Sequence, residues 1–275
     1  MTSSSHPSIA RRVGLRAWTV PADAPYWILR VGAALCFIGH GAFGFITKAA
    51  WVPYFAVVGI PETWAWSLMP LVGALDVTVG MMVLFAPRPF ALGYMAVWAL
   101  WTALLRPLSG DPLFETLERA GNYGVPFALL LLSGWPRDLR SWYGATQPTS
   151  ADADRYALVK RVLQVTTVLL LAGHGALGAI TVKPMFETHY AAAGLTAGLT
   201  VAIGWFELLL AAVIAARPFV PVLLFACVWK LATESLFIAA GAPVWEFVER
   251  AGSYAAPLAL ASVLLIQRSR SVSSR

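Results

Sequence analysis

The stretch Gly39-His40-Gly41-Ala42-Phe43-Gly44 lies near the end of a long apolar run, and it returns as Gly173-His174-Gly175-Ala176-Leu177-Gly178. Two more stretches repeat in the same order. Arg88-Pro89-Phe90 returns as Arg217-Pro218-Phe219. Glu118-Arg119-Ala120-Gly121-Asn122-Tyr123 returns as Glu249-Arg250-Ala251-Gly252-Ser253-Tyr254. From Trp98 to Pro126 a constant offset of 131 positions leaves 13 of 29 residues identical. The chain reads as a tandem duplication, and the repeated unit decides the fold.

Each unit contains four apolar runs. They span 27–47, 63–86, 90–106 and 120–136 in the first, and 160–181, 193–216, 219–239 and 251–267 in the second. Roughly 20 apolar residues carry a helix across a bilayer. Backbone groups in lipid must be bonded within the chain, which predicts helices here. The alternating ten-residue segments of a membrane barrel are absent. Composition agrees: of 275 residues, 59% are hydrophobic and 12% charged, with mean hydropathy +0.69. Soluble domains carry about 25% charged residues. A disordered chain, a collagen, a disulfide-stapled domain and an ordinary soluble enzyme are excluded. Cys36 and Cys227 lie in separate apolar runs and form no disulfide framework.

The predicted fold is an all-α integral membrane protein with eight transmembrane helices. They form two parallel four-helix repeats related by an axis along the membrane normal. Residues 1–26 form an N-terminal tail without a cleavable signal, 27–136 the first repeat and 137–158 a polar linker. Residues 159–267 form the second repeat and 268–275 a C-terminal tail. With the N-terminus inside, the inner face holds fourteen Lys and Arg: Arg11, Arg12, Arg16, Arg30, Arg88, Arg137, Arg140, Arg155, Lys160, Arg161, Arg217, Arg268, Arg270 and Arg275. The outer face holds five: Lys48, Arg106, Arg119, Lys183 and Arg250. This bias predicts cytoplasmic termini; the location expected for the whole chain is a bacterial inner membrane. It also accounts for the net charge of +6 without a nucleic-acid partner.

Ionisable groups at mid-bilayer cost roughly 2.5–3.5 kcal/mol each on insertion scales. The first repeat places His40 in its first run and Asp76 in its second. The second repeat places His174 and Glu207 in the same two positions, and adds Lys230 and Glu234 in its third run. Gly32, Cys36, His40 and Gly44 share one helix face, as do Gly73, Asp76 and Gly80. Each His–acid pair is either a polar clamp between neighbouring helices or part of a binding site. Lys230 and Glu234, four apart, are a structural ion pair or an asymmetric addition to that site. Their counterparts are Ala99 and Ala103. The motif around Glu118 and Glu249 either caps a helix or forms an outer mouth, where Arg119, Tyr123, Arg250 and Tyr254 meet a head group. Trp98, Trp101, Trp205 and Trp229 are packing residues or the wall of a flat ligand's pocket.

A first run opening near Arg30 and reaching Gly39-His40-Gly41, an outer segment from Trp51 to Gly59, and Gly73-x-x-Asp76 or Gly204-x-x-Glu207 in the next run together resemble the DoxX-like family of four-helix membrane proteins. The family commonly has a Lys where this chain has Gly44 and Gly178, a Glu where it has Asp76, and one unit where it has two. The resemblance implies a role in quinone or sulfur-compound oxidation within redox complexes.

Three functions follow as expectations. In the first, a redox-associated membrane subunit binds quinone or haem b near the His–acid pairs. His40 and His174 are then candidate axial ligands, and a redox protein is the partner. In the second, the chain is a small-solute or proton-coupled transporter. In the third, it is a non-catalytic scaffold or lipid-binding module. Whichever holds, fusion of the two units implies a pseudo-dimer within one chain. Walker, Gly-x-Ser-x-Gly, His-Glu-x-x-His and Rossmann motifs are absent.

Overall fold

In a computed structural model, residues 20–148, 151–196 and 198–273 are described. The N-terminal tail lies largely outside them. The described chain is helical throughout, in the order α1 (Ala24–Ile46), α2 (Val52–Val57), α3 (Glu62–Phe85), α4 (Pro89–Leu108), α5 (Phe114–Glu118), α6 (Ala120–Ser133), α7 (Leu139–Tyr143), α8 (Ala153–Ala179), α9 (Pro184–Ala192), α10 (Gly198–Ala216), α11 (Val220–Ala239), α12 (Trp245–Glu249) and α13 (Ala251–Ser273).

Among the described residues six helices are long and apolar enough to cross a membrane: α1, α3, α4, α8, α10 and α11. They match six of the predicted runs to within a few residues, except that α8 starts seven residues earlier and α10 five residues later than expected. The fourth run, predicted over 120–136, is the 14-residue helix α6. At 1.5 Å per residue it spans about 21 Å, short of a full bilayer core. The eighth run lies inside α13, which continues through most of the expected C-terminal tail. The expected linker is partly helical. Asp138 and Ser141 form a capping box on α7, and the Asp152 side chain caps α8.

Proline marks several helix starts: Pro25, Pro53, Pro89, Pro184 and Pro221 occupy the first turn, where the missing N–H costs nothing. The main core is aliphatic and includes Leu29, Leu92, Met95, Leu129, Leu163 and Leu171. The outer surface is also apolar, with Phe85, Val97, Leu209 and Val228 exposed. An apolar belt of that kind suits lipid contact.

Two pairings govern how the halves meet. α6 and α13 touch through Gly121 and Gly252, where a Cβ on either residue would lie 2.5 Å from the other's backbone. Gly39 of α1 lies against the backbone of Glu249, and Gly173 of α8 against that of Glu118. Each His-bearing helix therefore rests on the acidic segment of the other half.

The C-terminal ends of α3 and α10 carry matching polar ties. Arg30 donates from Nε to the Val83 carbonyl at 3.0 Å and from its terminal nitrogen to Leu84 at 2.6 Å, closing the end of α3. Gln164 donates to the Ile214 and Ala215 carbonyls at 3.0 Å, closing the end of α10. Both satisfy carbonyls that a helix C-terminus leaves unpaired.

Candidate functional site

α1 crosses α3 closely because Gly41 and Gly44 face Gly73. That approach sets His40 Nδ1 2.8 Å from Asp76 Oδ2. Asp76 is fully buried, whereas the His40 side chain is 20% exposed. The pair meets through Nδ1, so Nε2 is the ring nitrogen that Asp76 does not engage. Trp51 stacks on the imidazole with ring centroids 4.5 Å apart.

His40 lines a cavity of about 270 Å³. α1, α3 and α4 form its walls, and the segment from Trp51 to Ile60 covers it. Phe37, Phe55, Val72, Trp98 and Leu105 give an apolar, aromatic interior. His40, Tyr54, Arg106, Arg119, Asn122 and Glu249 supply the polar groups. Three lining residues, Val58, Leu71 and Trp101, are themselves 48%, 65% and 39% exposed. The lining therefore reaches the apolar exterior at Val58 after α2, Leu71 of α3 and Trp101 of α4. Arg106 donates to Tyr54 Oη at 2.7 Å, and Tyr54 donates to Asp111 at 3.1 Å.

The same positions in the second half are closed. His174 Nδ1 bonds Glu207 Oε2, and the His174 side chain is only 5% exposed. Phe186 covers the ring at 4.4 Å. Trp229 Nε1 donates to Glu207 Oε1 at 2.8 Å. Lys230, where the first half has Ala99, pairs with Glu234 at 2.6 Å, and Arg250 Nε approaches Glu234 at 2.9 Å. The Arg250 guanidinium also lies 3.9 Å from the Phe237 ring centroid, where the first half has Arg106. Lys230 and Glu234 thus form a buried ion pair within the second half and do not line the His40 cavity.

A charged belt joins the halves. Arg119 binds Glu115 and Glu118, and Arg250 binds Glu246 and Glu249. Lys48 reaches across to Glu246 at 2.5 Å, and Lys183 reaches across to Glu115. The residues before these lysines, Thr47 and Val182, have φ of 56° and 45°. Such angles are unfavourable for β-branched side chains, and here they turn each lysine toward the opposite half. Burial pushes the Glu246 carboxyl up, but Arg250 and Lys48 outweigh it and hold the group down at about 2. Burial likewise raises Glu118, and Arg119 and Arg250 more than offset it.

Of the proposed outer-mouth residues, only Arg119 lines the cavity. Tyr123 donates to the Thr116 carbonyl at 3.2 Å and Tyr254 to the Phe247 carbonyl, so each ties its own helix to the preceding short one. His40 and His174 do not share a cavity. Among the described residues no group of three or more His, Cys, Asp or Glu is placed to hold a metal ion. Sequence reasoning passed over Glu115, Glu246, Lys48 and Lys183 as site residues. Glu115 and Glu246 carried a signal, since they are identical at the offset of 131.

Comparisons with protein-family models, curated proteins and solved structures give no match.

Proposed function

We propose that this chain is a redox-associated membrane subunit that binds a quinone-type ligand in the His40 cavity. The observation that carries the reading is an apolar, aromatic cavity whose lining reaches the exposed apolar surface at Leu71 and Trp101 and includes His40, itself bonded to the buried Asp76. A lipophilic ring entering from the bilayer meets Trp98, Trp101 and Phe37, and its oxygens meet His40. His40 Nε2 can take a proton from a ligand hydroxyl, with Asp76 stabilising the imidazolium that forms. The electrons of quinol oxidation would pass to a redox protein carrying a metal or flavin centre. Haem is the weaker fit, because His174 is sealed by Phe186 and lies outside the cavity.

The architecture belongs to the same proposal. Eight segments cross or enter an inner membrane as two four-helix repeats, with both termini cytoplasmic. α6 reaches the outer side together with α5, and α13 supplies the eighth segment. The matched ties of Arg30 and Gln164, and the contact of Gly121 with Gly252, fit a pseudo-dimer within one chain.

The test uses purified protein in mild detergent and a short-chain ubiquinone analogue, followed by tryptophan quenching and thermal unfolding. Saturable quenching with one ligand per chain, lost in Ala99→Trp, is expected. Quenching that does not saturate, or that survives Ala99→Trp, overturns the reading.

A further inference from the structure

Arg119 and Arg250 stand at corresponding positions, and they differ by one carboxylate. Arg250 Nη1 donates to the Glu246 carbonyl and to the Glu246 and Glu249 carboxylates. Its Nε meets a third carboxylate, that of Glu234, at 2.9 Å. Arg119 Nη1 makes the same three bonds, to the Glu115 carbonyl and to the Glu115 and Glu118 carboxylates. The counterpart of Glu234 is Ala103, and among the described residues no third carboxylate pairs with Arg119. Arg106 adds a further cation where the second half has Phe237. Its Nη1 donates to Tyr54 and stands 3.9 Å from Glu115 Oε2, the same oxygen that Arg119 holds at 2.7 Å. The two guanidinium groups are therefore neighbours. Both arginines line the cavity, each with 15% of its side chain exposed.

Charge follows the same asymmetry. In the second half Arg250, Lys48 and Lys230 meet Glu246, Glu249 and Glu234. In the first half Arg119, Lys183 and Arg106 meet only Glu115 and Glu118. Asp111 reaches this group through the Tyr54 hydroxyl and does not line the cavity. Glu249 does line it, but Arg250 holds that carboxylate at 2.9 Å. An arginine in a dry cavity without its full set of acceptors favours an anionic oxygen. We infer that the ligand of the cavity is an acid, whose ionised oxygen group lies against Arg119 and Arg106 in the role that Glu234 plays for Arg250. In the second half Lys230 and Glu234 fill and neutralise that place, so one chain holds one ligand. The inference rests on the His40 cavity being the ligand site. For a quinone-type ligand it names the class: a ring with an acidic hydroxyl or carboxyl besides the oxygens that meet His40.

The experiment compares two matched pairs of probes at neutral pH, by tryptophan quenching and thermal unfolding. One pair is a naphthoquinone with two methyl groups on its quinone ring and the analogue in which a hydroxyl replaces one of them. The other is naphthamide and naphthoate. The hydroxyquinone and the naphthoate are anions at neutral pH and match their neutral partners closely in shape. Each acid should bind wild-type protein about tenfold more tightly than its neutral partner, the scale of one hydrogen bond to a charged group. Arg106→Gln should remove that preference and leave the neutral quinone bound. Arg106→Lys keeps the charge and should restore part of it. Ala103→Glu supplies the missing carboxylate to Arg119 and should also remove the preference. Should Ala103→Glu fail to fold, the Arg106 variants decide alone. Equal binding of acid and neutral partner by wild-type protein overturns the inference and leaves the ligand site standing. So does a preference that survives Arg106→Gln. Binding of naphthoate but of neither quinone upholds the acid site and overturns the quinone reading. No saturable binding of any probe overturns both.

Discussion

Lys48, eight residues past His40 in the first half, bonds Glu246 of the second half at 2.5 Å across 198 positions of sequence. Lys183 makes the corresponding bond to Glu115 in the opposite direction. The halves are therefore tied reciprocally at the end of the bundle that carries the acidic segments. Both acids also hold an arginine of their own segment, so each tie belongs to a network rather than to a lone surface pair.

This network gives the protein a defined acid limit. Glu246 is held at about 2 against an ordinary value of 4.5. A carboxyl lowered by folding contributes stability that is complete above the unfolded value and is lost as pH falls through the folded one. The Glu246 contribution should therefore fade between about pH 4.5 and pH 2. Lys48→Met removes one of the two cations responsible and should move acid unfolding to higher pH. Near-ultraviolet circular dichroism during acid titration measures the shift, and an unchanged midpoint would count against the network.

The contact of Gly121 with Gly252 admits no side chain. Gly121→Ala should force α6 and α13 apart at a cost of about 1–3 kcal/mol, the usual scale for overpacking. The double variant Gly121→Ala, Gly252→Ala should be worse than either single one. Denaturant unfolding in detergent decides it, and wild-type stability in the double variant would show that the helices can separate freely.

Lys230 and Glu234 are almost completely buried. Removing one partner leaves the other charge uncompensated, which costs about 3–5 kcal/mol. Lys230→Met and Glu234→Leu should each destabilise strongly. The pair of substitutions together should recover part of the loss, although Arg250 then keeps only Glu246 and Glu249. A double-mutant cycle on thermal unfolding reports the coupling.

The two histidines should differ in what they do to the ligand. His40→Ala should abolish ligand-induced stabilisation, and it should also lower the ligand-free unfolding temperature, because it leaves the buried Asp76 carboxyl without its partner. His174→Ala should lower the unfolding temperature and leave ligand affinity intact, because that ring is sealed beneath Phe186. Equal effects of both substitutions on ligand binding would refute the asymmetry.

Orientation is open to a direct measurement. Cys36 and Cys227 are buried and should resist labelling. Glu62→Cys and Arg137→Cys place thiols at exposed positions on opposite ends of the bundle. In intact cells an impermeant maleimide should modify the first and not the second. The reverse pattern would invert the proposed topology.

The all-helical class, the apolar helices of membrane-spanning length and the recurrence of a histidine and an acid along the chain were legible in the sequence. Each is a property of composition, of apolar run length or of recurrence along the chain. His40 with Asp76 and His174 with Glu207 could be named because both halves place a histidine and an acid in the same two runs. The inequality of the two sites was not legible. It depends on whether Asp76 or Glu207 reaches a tryptophan, on Lys230 filling the space that Ala99 leaves open, and on Phe186 rather than an open cavity meeting the imidazole. The crossed lysine bonds were hidden for the same reason. Contacts between distant parts of the chain are set by helix approach and side-chain length, and only the tertiary structure brings those together.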